Sequence, residues 1–176
     1  MGKLVRNAFA ACFALLTIVI FSGCSLVYQQ ALSAIRSPGE HIRTSPHQVW
    51  TDLKCAERER PFVRFESLEI VPDLIKPGYR TNYRVVYLMC PLEPSEIIKT
   101  RVFRRILFKG EEVASNVNAG FELKPGRWVV DSFFTLPKDS PLGVYSLEVS
   151  FEIADREAHK KVRNFVVDDD YFLLGG

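Results

Sequence analysis

Between Val144 and Ile153 the chain alternates: Tyr145, Leu147, Val149, Phe151 and Ile153 are apolar, with Ser146, Glu148, Ser150 and Glu152 between them. A period of two belongs to a strand, because successive side chains leave its opposite faces. This stretch is therefore expected to lay one face on a core and turn the other to water. Further strands are expected over Val63–Val71, Arg80–Cys90, Lys99–Lys109, Glu112–Asn116, Arg127–Leu136 and Lys160–Asp168. Their separators carry turn chemistry: Lys76-Pro77-Gly78, Lys109-Gly110-Glu111, Pro125-Gly126 and the stretch from Pro137 to Gly143. Seven short strands over about 105 residues, without a βαβ rhythm, point to an all-β antiparallel sandwich and away from a parallel sheet.

One local pattern refines that expectation. Phe134-Thr135-Leu136-Pro137 and then Pro141-Leu142-Gly143-Val144-Tyr145 lead into the alternating strand. Together they resemble the E–F corner of immunoglobulin-like modules, and the closing Phe165-Val166-Val167 resembles their last strand. The resemblance covers residues 62–168 and extends to architecture. It implies an immunoglobulin-like β-sandwich in which the Tyr145 hydroxyl bonds back to nearby backbone. The inter-sheet cysteine pair of antibody domains is missing.

The N-terminus has a different character. Lys3 and Arg6 precede an apolar run of 14 residues, Ala8 to Phe21, followed by Ser22-Gly23-Cys24. Charged start, apolar middle and small residues before a cut are the parts of a secretory signal peptide. The run falls short of the ~20 residues that span a bilayer. The Ser-Gly-Cys ending resembles the lipobox of bacterial lipoproteins, although Phe21 stands where that family prefers an aliphatic residue. The resemblance implies cleavage before Cys24 and acylation of its sulfur, palmitate included, and of its new amino group. Secretion without lipid and an uncleaved anchor are the rival readings. Ser25 is not the aspartate that retains lipoproteins in the inner membrane of enteric-type bacteria, so the resemblance implies the outer membrane, facing the periplasm.

Export shapes the remaining arithmetic. Removal of residues 1–23 leaves 153 of the 176 residues, enough for one domain with a core. Of the 23 basic residues, Lys3 and Arg6 lie in the removed part, leaving 21 against 21 acidic ones. A neutral domain offers no electrostatic case for nucleic acid as a partner. Cys12 lies in the removed part and Cys24 takes lipid, which leaves Cys55 and Cys90 as an even pair in an oxidising compartment. They are expected to form a disulfide, with two separate buried thiols as the alternative. Residues 24–60 read as a lipidated tether with short helices. Leu26, Val27, Leu32 and Ile35 share one helical face, and Ser45 caps a second helix that begins at Pro46 and carries Val49, Trp50 and Leu53. Gly39 to Arg43 between them reads as polar linker. Residues 61–168 form the expected sandwich and residues 169–176 a tail.

Catalytic signals are weak. The three histidines, His41, His47 and His159, have no metal-ligand spacing, and no nucleophile elbow or phosphate loop occurs. Glu148 and Glu152 read as outward carboxylates of a half-solvated strand, and Asp168-Asp169-Asp170 as its solvated neighbour's end. No cofactor or metal site is expected. Two features stand out instead. On the strand Lys99–Lys109, Ile98, Thr100, Val102, Ile106 and Phe108 suit a core, while Lys99, Arg101, Phe103, Arg105, Leu107 and Lys109 form a cationic face holding two large apolar residues. Arg101, Phe103, Arg105 and Leu107 are thus a candidate partner surface, unless the Lys and Arg stems merely cover the apolar pair. The tail Tyr171-Phe172-Leu173-Leu174 needs cover, by docking back or by adding to a partner's sheet. The expectation is a non-enzymatic, lipid-anchored binding or assembly subunit with an envelope protein as partner. A carbohydrate- or peptidoglycan-binding module using Trp50, Trp128, Tyr83 and Tyr87 is the alternative, and an envelope enzyme with an unrecognised site is a third reading.

Overall fold

The computed structural model describes residues 36–153 and 156–169. The expected lipidation residue Cys24, the first expected helix and the apolar tail lie outside them. Nine strands are described: β1 (Gly39–Thr44), β2 (Phe62–Val71), β3 (Leu74–Ile75), β4 (Arg80–Cys90), β5 (Ile98–Phe108), β6 (Glu111–Leu123), β7 (Gly126–Thr135), β8 (Gly143–Ile153) and β9 (Arg156–Val167). They form two sheets, ordered β1-β7-β4-β2 and β3-β9-β8-β5-β6. The fold is an all-β sandwich, and all seven strands expected from the sequence are present.

The core lies between the sheets and follows side-chain parity. Tyr83, Val85, Tyr87 and Met89 of β4 face Tyr145, Leu147, Val149 and Phe151 of β8, all at most 3% exposed. Phe151 is central: its ring centroid lies 5.0 Å from that of Phe65, 5.7 Å from that of Phe121 and 5.7 Å from that of Tyr87. On β2 the parity changes midway, from Val63 and Phe65 to Leu68 and Ile70, yet all four are buried. A bulge at Glu66, where the β2–β4 register shifts between Phe65 and Ser67, turns both halves of the strand inward. The extra residue faces out, where Glu66 receives both Nε and Nη2 of Arg127 at 2.8 and 3.0 Å.

The turns follow their residues. Lys109 and Gly110 both have positive φ, 52° and 88°, as a two-residue hairpin between β5 and β6 requires. Tyr145 donates its hydroxyl to the Pro141 carbonyl at 2.8 Å, the backbone bond expected of a corner tyrosine. Its ring stacks on Phe108 and Phe165.

Two segments differ from expectation. Gly39–Thr44 is not linker but strand β1, antiparallel to β7, so the sandwich begins before residue 61. Its six residues, GEHIRT, bury no side chain, so the strand is held by its backbone and carries no apolar alternation. Leu74 and Ile75 form β3, parallel to Val166 and Val167 of β9, a short departure from an all-antiparallel arrangement. Pro72 cannot donate to a ladder and closes β2, after which the chain joins the other sheet.

The second expected helix is present as α1, Pro46–Asp52. Ser45 caps it, its Oγ accepting the Gln48 N–H at 3.3 Å. Cys55 and Cys90 are bonded, with Cα atoms 5.6 Å apart, and are 0% and 1% exposed among Val49, Trp50, Leu53 and Phe62. The bridge fastens the α1 segment to the end of β4.

Candidate functional site

The outer face of the five-stranded sheet is built from the outward residues of β6, β5, β8 and β9. Pairing places Phe103 opposite Val117 and Ser150, Arg105 opposite Ser115 and Glu148, and Arg101 opposite Glu152. The four candidate residues of β5 therefore share one face, as their alternation implies. Phe103 and Leu107 are half-buried, while Arg101 and Arg105 are exposed.

The charges of that face are matched. Arg101 Nη2 lies 2.6 Å from Glu152 Oε1, and its guanidinium carbon sits 5.6 Å from the Phe103 ring centroid. Arg105 is ion-paired with Glu148, whose other oxygen lies 3.1 Å from Lys160 Nζ. The face is thus not the net cationic surface that β5 alone implies, because β8 supplies a glutamate to each arginine. Glu148 points outward as expected but is only 6% exposed, enclosed by its two cations. What remains open is aliphatic: Val117, Val144, Val162 and Val166 are 39–58% exposed, and Val144 stands directly opposite Val166. Salt-laced rows interleaved with exposed valines suit contact with another polypeptide surface more than with a small polar molecule.

The aromatic residues considered as a sugar platform do not meet on one open face. Tyr83 and Tyr87 are core residues, 3% and 0% exposed. Trp128 is half-buried, donates Nε1–H to the Pro125 carbonyl at 2.9 Å and has Lys124 Nζ 5.0 Å from its ring centroid. Trp50 is also half-buried, beside Arg60. Burial pushes the Tyr87 phenol well above its usual range, although its oxygen accepts the Lys124 N–H at 3.1 Å. Tyr83 is raised by burial too, opposed by the nearby Arg104 charge and a Ser132 hydrogen bond.

Arg104 is the residue that the sequence reading passed over. It lies on the core parity of β5, between Val102 and Ile106, where a charge breaks the apolar run. That interruption is its signal. The structure places it at a cavity of about 270 Å³ between the two sheets. Val85, Val102, Val149 and Phe151 line it with apolar surface, and Asn118, Ser132 and Glu40 with polar surface. Among the described residues no group of three or more His, Cys, Asp and Glu is placed to hold a metal ion.

No protein-family model matches the chain, and neither does any curated protein. Among solved structures it is similar to the sporulation control protein Spo0M from Bacillus subtilis, at 18% identity and a TM-score of 0.43, over 60% of this chain and 49% of that one. It is likewise similar to the alkylpurine DNA glycosylase AlkC of Pseudomonas fluorescens (18% identity, TM-score 0.44, 60% of this chain and 30% of that one). A third likeness is to a Niemann-Pick type C2 protein from Japanese carpenter ant (12% identity, TM-score 0.42, 60% and 90%). The chain thus spans about half the length of Spo0M. Likenesses this distant bear on no functional reading.

Proposed function

We propose that the protein is a non-enzymatic, lipid-anchored subunit of the cell envelope that binds a protein partner through the outer face of its five-stranded sheet. The observation that carries the binding reading is that face itself: exposed Val117, Val144, Val162 and Val166 around half-buried Phe103 and Leu107. Its arginines are held in register by Glu148 and Glu152, so a partner meets a fixed, charge-matched surface rather than mobile cations. Order in the free state lowers the entropy lost on binding. The envelope location rests on the lipobox-like Ser22-Gly23-Cys24 and on Ser25, and the Cys55–Cys90 bridge fits an oxidising compartment. Two or three acyl chains on Cys24 make a stable anchor, where one binds marginally.

Two experiments test the halves separately. Cys24→Ala should leave the precursor uncleaved or the product released from membranes; a variant processed and membrane-bound like wild type refutes the anchor. Val117→Asp with Val144→Asp places two charges on exposed positions, where stability should change by no more than ~0.5 kcal/mol per site. Crosslinking in native membranes should lose the wild-type adduct in this double variant. Retention of the full adduct rules out this face.

A further inference from the structure

We infer that the cavity between the sheets is a binding site for a short unbranched alkyl chain ending in an anionic oxygen head group, with Arg104 as the receptor of the head.

The walls set the chain. Val85, Val102, Val149 and Phe151 present hydrocarbon and are 1–4% exposed, so they are fixed in the core rather than free to close over the space. At about 270 Å³ the cavity approaches the lower end of ligand pockets, roughly 300 Å³, which limits its occupant to a small one. The valines and Phe151 in its depth favour hydrocarbon there, and the polar side chains are left to the rim.

The rim sets the head. Two carboxylates line the opening, and both are already neutralised. Asp131 takes Arg84 in a two-pronged pair at 2.8 and 2.9 Å on the outer side of its sheet, and Glu40 takes Lys124 Nζ at 2.6 Å. Arg104 makes no ion pair among the described residues, whereas its strand neighbours Arg101 and Arg105 each have a glutamate. Asn118 spends its Oδ1 on the Gly120 N–H at 3.0 Å, which leaves its NH₂ to donate to a ligand. The charge uncompensated at the mouth is therefore positive, and guanidinium and amide are both donors. A guanidinium fork matches the planar oxygens of a carboxylate or the oxygens of a phosphate. An ammonium head would meet a like charge.

The test titrates the purified protein, held in phosphatidylcholine nanodiscs so that neither detergent nor an octyl-bearing polymer competes, with octanoate, octyl phosphate and octylammonium by calorimetry, against empty nanodiscs. Saturable binding of at least one of the two anions, absent for octylammonium, is expected, and the anion preferred identifies the head as carboxylate or phosphate. Arg104→Gln should weaken that binding at least about tenfold, as loss of a charge-assisted hydrogen bond does, while Arg104→Lys should keep part of it. Arg104 is half-exposed, so neither variant threatens the fold. Val130→Phe, which fills the cavity without touching its charge, should abolish binding of the chain. Binding of octylammonium equal to that of the anions, or unchanged octanoate and octyl phosphate affinities in Arg104→Gln, overturns the assignment, as does the lack of saturable binding for every probe.

Discussion

Arg105 and Glu148 stand directly opposite one another on β5 and β8, ion-paired, 43 residues apart in sequence. Lys160 of β9 closes on the same carboxylate from the other side, so one glutamate ties three strands together across the outer face. A carboxylate 6% exposed needs such partners, since an uncompensated charge at that depth is costly.

Replacing Glu148 with Gln should leave both cations without a counter-charge. Arg105 and Lys160 side chains are about half exposed, so water screens much of the loss. A destabilisation of about 1 kcal/mol is expected in urea unfolding at pH 7, and a high-salt repeat should shrink the difference. A variant as stable as wild type at low salt would show that the triad contributes nothing.

The Cys55–Cys90 bridge closes a separation of 35 residues. Chain entropy assigns such a loop roughly 3–4 kcal/mol. Cys55→Ser with Cys90→Ser should therefore lower the denaturation midpoint clearly, and alkylation of the denatured, unreduced wild-type protein should label neither cysteine. Proteolysis of the double variant is expected to begin within residues 46–60, because the bridge fastens α1 to the end of β4. Uniform cleavage across the sandwich would argue against that local role.

Alkaline pH acts on the buried phenols. Burial raises Tyr87 and Tyr83 above their ordinary 10.0, so the fold favours their neutral forms. Their stabilising contribution is complete below pH 10 and falls as pH rises through the unfolded value toward the folded one. Tyr87→Phe should be less stable than wild type at pH 8, since it leaves the Lys124 N–H unpaired, yet lose less stability between pH 8 and 11. Parallel pH profiles for the two proteins would contradict this assignment.

Gly126 opens β7 at φ 102°, and a Cβ there would come within 2.8 Å of the Thr44 carbonyl oxygen of β1. Gly126→Ala should cost more than about 1 kcal/mol and separate β1 from β7, raising amide exchange in Gly39–Thr44 before the rest of the sheet. Exchange that rises equally in both sheets would count against it.

Much of this architecture is legible in the sequence because its signals are local. The alternation of Val144–Ile153 and the Lys109-Gly110 turn each need only their own residues. β1 is illegible for the opposite reason: all its side chains face water or lie half-covered, and backbone pairing leaves no mark on composition. The bulge at Glu66 shows only as the slip in apolar spacing between Val63, Phe65 and Leu68, Ile70, which the residues Phe65-Glu66-Ser67 do not mark by themselves. At the candidate site, the outward direction of Phe103 and Leu107 follows from spacing, but the glutamates that neutralise Arg101 and Arg105 come from a strand whose register is set by tertiary packing. Arg104 is readable as a break in an apolar stripe, and its cavity is not, because that space is bounded by six strands from two sheets.

The early start of the sandwich changes how far the domain can travel. With Arg36 already bonded to Asn82 and Glu69 on the four-stranded sheet, the proposed lipid anchor at Cys24 would leave only the dozen residues 24–35 between the membrane and the domain. Fully drawn out, that length spans roughly 40 Å, whereas a leash running to residue 60 would reach on the order of 120 Å. Under the proposed anchoring, a reach that short would confine the partners to proteins that present themselves close to the same membrane surface.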